Sequence, residues 1–151
     1  MLVPRVFLSY SHMDRIWLER LRKHLAVLEK QGCLDVWTDQ RIVAGSLWQE
    51  MISGAIDSAQ VAVMIISADF LQSNFVLQEE VPRILERRAA GKLQVVPVLA
   101  CHCPWEVVPW LAELQIRPLG AVPLTAHRGH RLDNALKTIA LEIERLAARA
   151  D

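Results

Sequence analysis

Apolar residues along the 151-residue chain occur in short runs typical of buried strands and in longer stretches with helical spacing. The short runs are apolar on both faces, as in parallel strands that are covered by helices on both sides of a sheet. The second run is less apolar than its neighbours, so we expect it near the edge of the sheet. The predicted strands are residues 3–10, 33–38, 61–66 and 93–99, with a brief fifth at 116–122.

The stretches between these strands place apolar residues three and four positions apart, which predicts amphipathic helices. The first helix follows Asp14, which we expect to cap it, and runs to about Lys30 before Gly32. Residues 101–114 are irregular, with a short helix expected from Glu106. The apolar faces of the first, second and last (131–148) helices are Leu18, Leu21, Leu25 and Leu28; Trp48, Ile52, Ala55 and Ala59; and Leu132, Leu136, Ile139, Ile143 and Leu146.

A further helix follows the third strand and has two adjacent acids, Glu79 and Glu80, near its start. Taken alone, acids in a first turn are ordinary, because the positive end of the helix dipole favours them. Pro82 cannot donate a backbone hydrogen bond, so either the regular helix begins near Gln78 or it bends at the proline. Adjacent helical positions point about 100° apart, so we expect only one of the two acids to face any given cleft.

Strands that alternate with helices at this spacing predict right-handed βαβ crossovers and a parallel sheet. We therefore predict an α/β, flavodoxin-like three-layer sandwich, with five strands in the order 2-1-3-4-5 and helices on both faces. Ligands of such sheets bind beyond the carboxyl ends of the strands. Three segments should converge there: Ser9 to Ser11, residues 37–46, and the start of the helix with Glu79 and Glu80.

Composition narrows the function classes. The chain is 52% hydrophobic and 23% charged, and 17 basic residues balance 17 acidic ones, so no strong field attracts nucleic acid or an anionic membrane. Three cysteines without framework spacing fit a reducing, cytoplasmic setting. The Cys101-His102-Cys103 spacing is too tight for an ordinary zinc site, so we expect no metal. The five histidines are scattered, and we expect them at the surface.

Glycine-rich nucleotide motifs and nucleophile elbows are absent from the sequence. The remaining candidate is a cleft with a carboxylate, aromatic rings and hydroxyls. One carboxylate could assist cleavage of an N-glycosidic bond to a cationic pyridinium, because nicotinamide leaves as a neutral molecule. The carboxylate would stabilise the positive charge that develops on the ribose.

Three segments in order resemble a Toll/interleukin-1 receptor (TIR) domain of the bacterial type, over roughly residues 4–148. Residues 6–14 (VFLSYSHMD) are similar to the family's first motif. Residues 35–39 (DVWTD), followed by 44–48 (AGSLW), are similar to its BB loop and the helix after it. Residues 67–73 (SADFLQS), which lead to Phe75, Glu79 and Glu80, are similar to its third motif.

The resemblance implies an NAD⁺ hydrolase, in some members also a cyclase of ADP-ribose, that depends on one glutamate at this helix start. An ungapped match to the residues on both sides selects Glu80, which we expect to be the catalytic acid; counting from Phe75 selects the alternative, Glu79. The family implies a substrate pocket in which Trp37 would stack on the nicotinamide or another base. The implied substrate-binding residues are Ser9, Tyr10, Ser11, Trp37, Asp39 and Trp48, and the implied oligomerisation residues of the BB loop are Arg41, Ile42, Val43, Ala44 and Gly45.

Two departures from the family pattern affect what can be transferred. The common Trp-Cys pair before the glutamate is replaced by Val76 and Leu77, which alters pocket packing. Ala44 stands where many adaptor members have proline, so adaptor-type contacts do not carry over.

We expect residues 1–151 to be a single TIR domain cut from a longer protein with a fused sensor or oligomerising domain. NAD⁺ would be its substrate, no cofactor is expected, and other TIR domains would be its partners. We expect activation by self-assembly in bacterial immune or anti-phage signalling. The alternative is a non-catalytic scaffold that binds other TIR domains.

Overall fold

The computed structural model describes residues 3–39 and 47–149. A four-stranded parallel sheet lies at its centre, with the strand order β2-β1-β3-β4. The strands are β1 (Arg5–Ser9), β2 (Asp35–Trp37), β3 (Val61–Ile66) and β4 (Gln94–Leu99). The predicted parallel α/β sandwich is confirmed, and β2 lies at the edge of the sheet as expected.

The helices follow the predicted alternation, with short turns added at the carboxyl ends of the strands. The α-helices are α1 (Arg15–Lys30), α2 (Trp48–Ser58), α3 (Ala68–Leu71), α4 (Val81–Ala89), α5 (Pro109–Ala112) and α6 (His130–Ala148). A π-helical turn, Val76–Glu80, leads directly into α4. Short 3₁₀ turns lie at His12–Asp14, Trp105–Val107 and Leu124–Ala126.

Two hydrophobic layers enclose the sheet, because alternate residues of each strand point to opposite faces. Helices α1 and α6 cover one face, where Leu21 and Ile139 pack with strand residues such as Val63. The other helices cover the second face, where Phe7, Ile56 and Ile84 share a cluster. All six residues of β3 are buried, which confirms its central position.

The predicted fifth strand is reduced to one parallel bridge between Arg117 and Val98. Residues 118–120 then turn away from β4, and the N–H of Ala121 donates to the carbonyl of Pro118, so the ladder ends after this bridge. The bridge nevertheless lies beside β4, on the side expected for strand five. Pro97 of β4 is paired with Met64 of β3, and its carbonyl accepts from the N–H of Arg117 on the outer side of the sheet. Because the backbone N and C=O of Pro97 face that side, the missing N–H leaves the ladder between β3 and β4 continuous.

Two local predictions about polar side chains were wrong. Asp14 makes no side-chain cap for α1; it is buried and accepts a hydrogen bond from the hydroxyl of Ser67. His127 is not a freely exposed residue: it is partly buried, and its Nε2 is buried without a hydrogen-bond partner among the described residues. For Asp14, a contact with a residue 53 positions away overrides the local capping pattern.

Pro82 lies in the first turn of α4, which agrees with the first of the two options derived from the sequence. The preceding turn is π-helical, and the N–H of Val81 donates to the carbonyl of Val76, five residues earlier. The widened turn accommodates a proline that cannot supply the usual hydrogen bond to the residue four positions back. Such turns are frequent at functional sites.

Candidate functional site

A cleft of about 480 Å³ opens at the carboxyl ends of β1, β2 and β3. Its volume lies in the range usual for small-molecule sites, and its position is where ligands of open parallel sheets bind. The three segments expected to converge do so, as far as the structure describes them. The described lining residues are Phe7, Leu8, Tyr10, Ser11, His12, Trp37, Asp39, Trp48, Ile52, Ser73, Phe75, Val76 and Glu80.

Glu80 lines this cleft and is only 7% exposed. The hydroxyl of Ser9, at the end of β1, donates a 2.6 Å hydrogen bond to its Oε1. Glu79, its neighbour in the same π-helical turn, is exposed and does not line the cleft. The backbone therefore turns only one of the two acids towards the cleft, and that acid is Glu80.

The surroundings of Glu80 raise its pKa from 4.5 to about 7. Burial is the main cause, because removal from water penalises the charged carboxylate. The hydrogen bond from Ser9 acts in the opposite direction, the negative charge of Asp39 raises the pKa further, and His12 lowers it. Burial therefore favours the protonated form of this carboxyl, and such a raised pKa is typical of functional sites.

Asp39 connects the ends of β1 and β2 through two hydrogen bonds. The hydroxyl of Tyr10 donates to Oδ1 at 2.7 Å, and Nε2 of His12 lies 2.7 Å from Oδ2. Burial and the neighbouring Asp39 raise the pKa of Tyr10 well above its usual value, so the tyrosine keeps its proton. His12 is exposed, as the sequence predicts, but it also lines the cleft, which the sequence analysis missed. Its position two residues after Tyr10, just beyond the end of β1, could have indicated this.

The two tryptophans differ in how much ring surface they leave open. Trp37 is 4% exposed and stacks on Phe7, with ring centroids 5.3 Å apart and an interplanar angle of 14°. Trp48 is 45% exposed and leans against Phe75, with centroids 5.1 Å apart at 59°. One face of Trp37 is therefore occupied by protein, whereas Trp48 offers the larger open surface at the cleft.

The remaining residues predicted for the site divide into three groups. Ser9 directs its hydroxyl to Glu80. Ser11 lines the cleft, and its hydroxyl accepts a 3.3 Å hydrogen bond from the N–H of Met13. The BB-loop residues Arg41, Ile42, Val43, Ala44 and Gly45 lie outside the described residues.

A second depression, of about 620 Å³, lies beyond the end of β4 and has different chemistry. It includes His102, Cys103 and Glu106, of which His102 and Glu106 are exposed. Within residues 3–39 and 47–149, no three His, Cys, Asp or Glu side chains are grouped as a metal site would require. In the same ranges, no helix has the length and apolar character needed to cross a membrane.

Comparison with known protein sequences matches most of the chain. The family profile described as "TIR domain" matches residues 6–139. The uncharacterized protein y4lF of Sinorhizobium fredii is 31% identical over 147 residues, which cover 97% of this chain and 45% of y4lF. The chain therefore spans less than half the length of this bacterial relative.

Three solved structures share the fold. The TIR domain of the Toll-related receptor TRR-2 from Hydra magnipapillata has a TM-score of 0.55 and 23% identity, and the match covers 74% of this chain and 80% of that chain. The TIR domains of the activated Roq1 resistosome recognizing XopQ have a TM-score of 0.58 and 22% identity, over 91% of this chain and 84% of that chain. The RPS4–RRS1 TIR domain heterodimer has a TM-score of 0.56 and 20% identity, over 96% of this chain and 99% of that chain. These structures share the fold of this chain, and the profile match over residues 6–139 shows that the chain belongs to the Toll/interleukin-1 receptor (TIR) domain family.

Proposed function

We propose that this domain is an NAD⁺ glycohydrolase, which cleaves the bond between nicotinamide and ribose. The observation that carries the proposal is Glu80, a carboxyl buried in a cleft of ligand size. It accepts a hydrogen bond from the Ser9 hydroxyl, and among the described residues no cation is bonded to it. A structural acid in such a place would normally be paired with a cation, because an unpaired buried charge is costly. Here the buried acid instead faces the space that a cationic substrate would occupy.

The raised pKa of Glu80 fits this role in a specific way. The free cleft holds the carboxyl partly protonated, with its pKa at about 7. A cationic nicotinamide riboside group in the cleft, and still more the oxocarbenium-like transition state, would favour the ionised carboxylate. The negative charge would thus be stabilised most when positive charge develops on the ribose, which is what lowers the barrier.

The aromatic lining supports a substrate with flat rings. Trp48, with almost half of its surface open, is placed to stack on one base of a dinucleotide. Trp37 forms part of the cleft wall and is itself supported by Phe7. Base stacking on the open ring would hold the substrate while Glu80 acts on the ribose.

Self-assembly would switch the activity on, and the setting would be a cytoplasmic bacterial defence response. The proposal is supported by the TIR domains found together in the Roq1 resistosome and in the RPS4–RRS1 heterodimer, and by the bacterial relative. The longer y4lF is consistent with a full-length protein in which a second region brings TIR domains together. Dilute, isolated copies of this domain should be slow.

The test measures NAD⁺ loss by concentrated protein and by two copies joined through a flexible linker. Glu80→Gln should lower the rate by about 10²–10³-fold, as expected when a transition-state charge partner is removed. Glu79→Gln is the matched control, because it makes the same chemical change one residue earlier on an exposed side chain. It should retain the parent rate.

Each outcome has a defined meaning. A loss of activity in Glu79→Gln but not in Glu80→Gln would identify the other acid as the catalytic one. No NAD⁺ loss under either assembly condition would reject the enzyme and leave a scaffold that binds other TIR domains.

A further inference from the structure

The cleft also contains a hydrogen-bonded group of three residues, Tyr10, Asp39 and His12, that the proposed role of Glu80 does not involve. In this group, Asp39 holds Tyr10 through one carboxylate oxygen and His12 through the other, each at 2.7 Å. The His12 side chain is 75% exposed and lines the same cleft as Glu80. A histidine fixed by an aspartate at the mouth of a cleft has the arrangement of a general base.

The contact with Asp39 determines which ring nitrogen of His12 carries hydrogen. An ionised carboxylate only accepts hydrogen bonds, and Tyr10 already donates to its Oδ1. Nε2 of His12 must therefore carry the hydrogen that bonds to Oδ2. In the neutral imidazole this leaves Nδ1 with a lone pair that can accept a proton.

No other described lining side chain offers a basic nitrogen. Tyr10, Ser11 and Ser73 contribute hydroxyls, and the tryptophan indoles only donate. Two carboxyl groups also line the cleft. Glu80 is bonded to Ser9 and faces the positive charge in the proposed reaction, and Asp39 is bonded through one oxygen to Tyr10 and through the other to His12. His12 is therefore the described lining residue best placed to take a proton from water.

We propose that His12, held by Asp39, is the general base that activates the attacking water, an inference that rests on the proposed NAD⁺ cleavage. The glycosidic C1′–N bond breaks, and its electron pair goes to the nitrogen of nicotinamide, which leaves neutral. The water oxygen bonds to C1′, and one water proton passes to Nδ1 of His12. The exposed imidazolium then returns that proton to solvent, which balances the hydrolysis of NAD⁺ to ADP-ribose, nicotinamide and one proton.

The test separates capture by water from capture by a nucleophile that has no proton to lose. NAD⁺ is supplied to the tethered protein together with 3-acetylpyridine, whose ring nitrogen can attack C1′ without a base. The ratio of ADP-ribose to the base-exchanged dinucleotide is measured. His12→Gln should lower this ratio by about 10²-fold, the lower end of what a positioned general base contributes.

Two further variants and one control sharpen the measurement. Asp39→Asn should shift the ratio in the same direction, because the amide no longer obliges Nε2 to carry the hydrogen. Added imidazole should restore ADP-ribose formation in His12→Ala. His130→Gln removes an exposed histidine at the start of α6 and should leave the ratio unchanged.

The results that would overturn the inference differ from those that would overturn the proposed function. An unchanged product ratio in His12→Gln, with NAD⁺ still consumed, rejects His12 as the base and leaves NAD⁺ cleavage intact. Equal loss of hydrolysis and base exchange assigns His12 to folding or binding and also rejects the inference. A parent protein that consumes no NAD⁺ rejects both.

Discussion

Two carboxyl groups have opposite electrostatic surroundings, one on the exposed surface between α2 and α4, called here the helical flank, and one at the carboxyl ends of the strands. On the flank, Asp57 of α2 receives two hydrogen bonds from Arg83 of α4, and both side chains are about half exposed. That guanidinium lowers the pKa of Asp57. At the strand ends, Glu80 is buried, accepts a hydrogen bond from the hydroxyl of Ser9, and has a raised pKa.

The two carboxyl groups differ in what their ionised forms cost the folded state in free energy. An exposed ion pair changes little, because water screens both charges. A buried carboxyl without a cation lowers the stability of the ionised fold, so its retention at a ligand site points to a functional need. Asp14, which is also buried at the strand ends with a raised pKa, follows the pattern of Glu80 and not that of Asp57.

The largest expected effect concerns Glu80 and the pH dependence of folding. Its folded pKa, about 7, lies above the ordinary value of 4.5, so the folded state holds a proton that the unfolded state has released. The contribution of this group is fully present below pH 4.5 and is lost as the pH rises through 7, by about 3 kcal/mol in total. Glu80→Gln should remove this decline in the free energy of unfolding, as measured by urea unfolding between pH 4 and 8.

The matched comparison is Glu79→Gln, which should keep the parent pH profile because that side chain is exposed. Above pH 7, Glu80→Gln should be the more stable of the two variants. If the stability of Glu80→Gln and of Glu79→Gln depended on pH in the same way, the assignment of a raised pKa to Glu80 would be wrong.

A smaller effect is expected from the single hydroxyl that partners Glu80. Ser9→Ala removes the donor to Oε1, and the loss of a hydrogen bond to a charged acceptor should raise the pKa of Glu80 by about one further unit. The carboxyl carbon can be followed by NMR in protein labelled at glutamate. Ser11→Ala is the control, since that hydroxyl lines the cleft but accepts from the N–H of Met13; an equal shift in both variants would argue against the direct bond.

The smallest effect is expected on the helical flank. Arg83→Gln should cost about 0.5 kcal/mol in the free energy of unfolding at pH 7, because the pair with Asp57 is exposed. The loss should diminish in 1 M salt and disappear at acidic pH, once Asp57 is protonated in both states. Lys137→Gln, on the exposed side of α6, controls for the charge change; a cost of several kcal/mol would erase the contrast with Glu80.

The fold was predictable where the sequence pattern is long and strong. Residues 61–66 are apolar without interruption, and the structure buries every one of them in β3. The last helix was placed within one residue of its observed start, at His130. The fifth strand was overpredicted, because a short apolar stretch does not reveal that the chain turns at residues 118–120 after one bridge.

The site was harder to predict, because its contacts join residues far apart in sequence. The segments that meet at the cleft followed from strand order alone. The bond from Ser9 to Glu80 spans 71 positions and the bond from Tyr10 to Asp39 spans 29, and no local pattern encodes either. The choice between Glu79 and Glu80 depends on the rotation of one π-helical turn, which a sequence fixes only through packing.

The interrupted outer side of β4 has a consequence for aggregation. A sheet edge with free backbone groups is a template onto which another chain can add a strand. At this edge, Pro97 has no N–H to offer, and Arg117 already occupies the carbonyl of Pro97 and the N–H of Leu99. The opposite edge, β2, is only three residues long. The sheet therefore offers a second copy little ladder to extend, which protects a crowded population of these domains from fusing edge to edge.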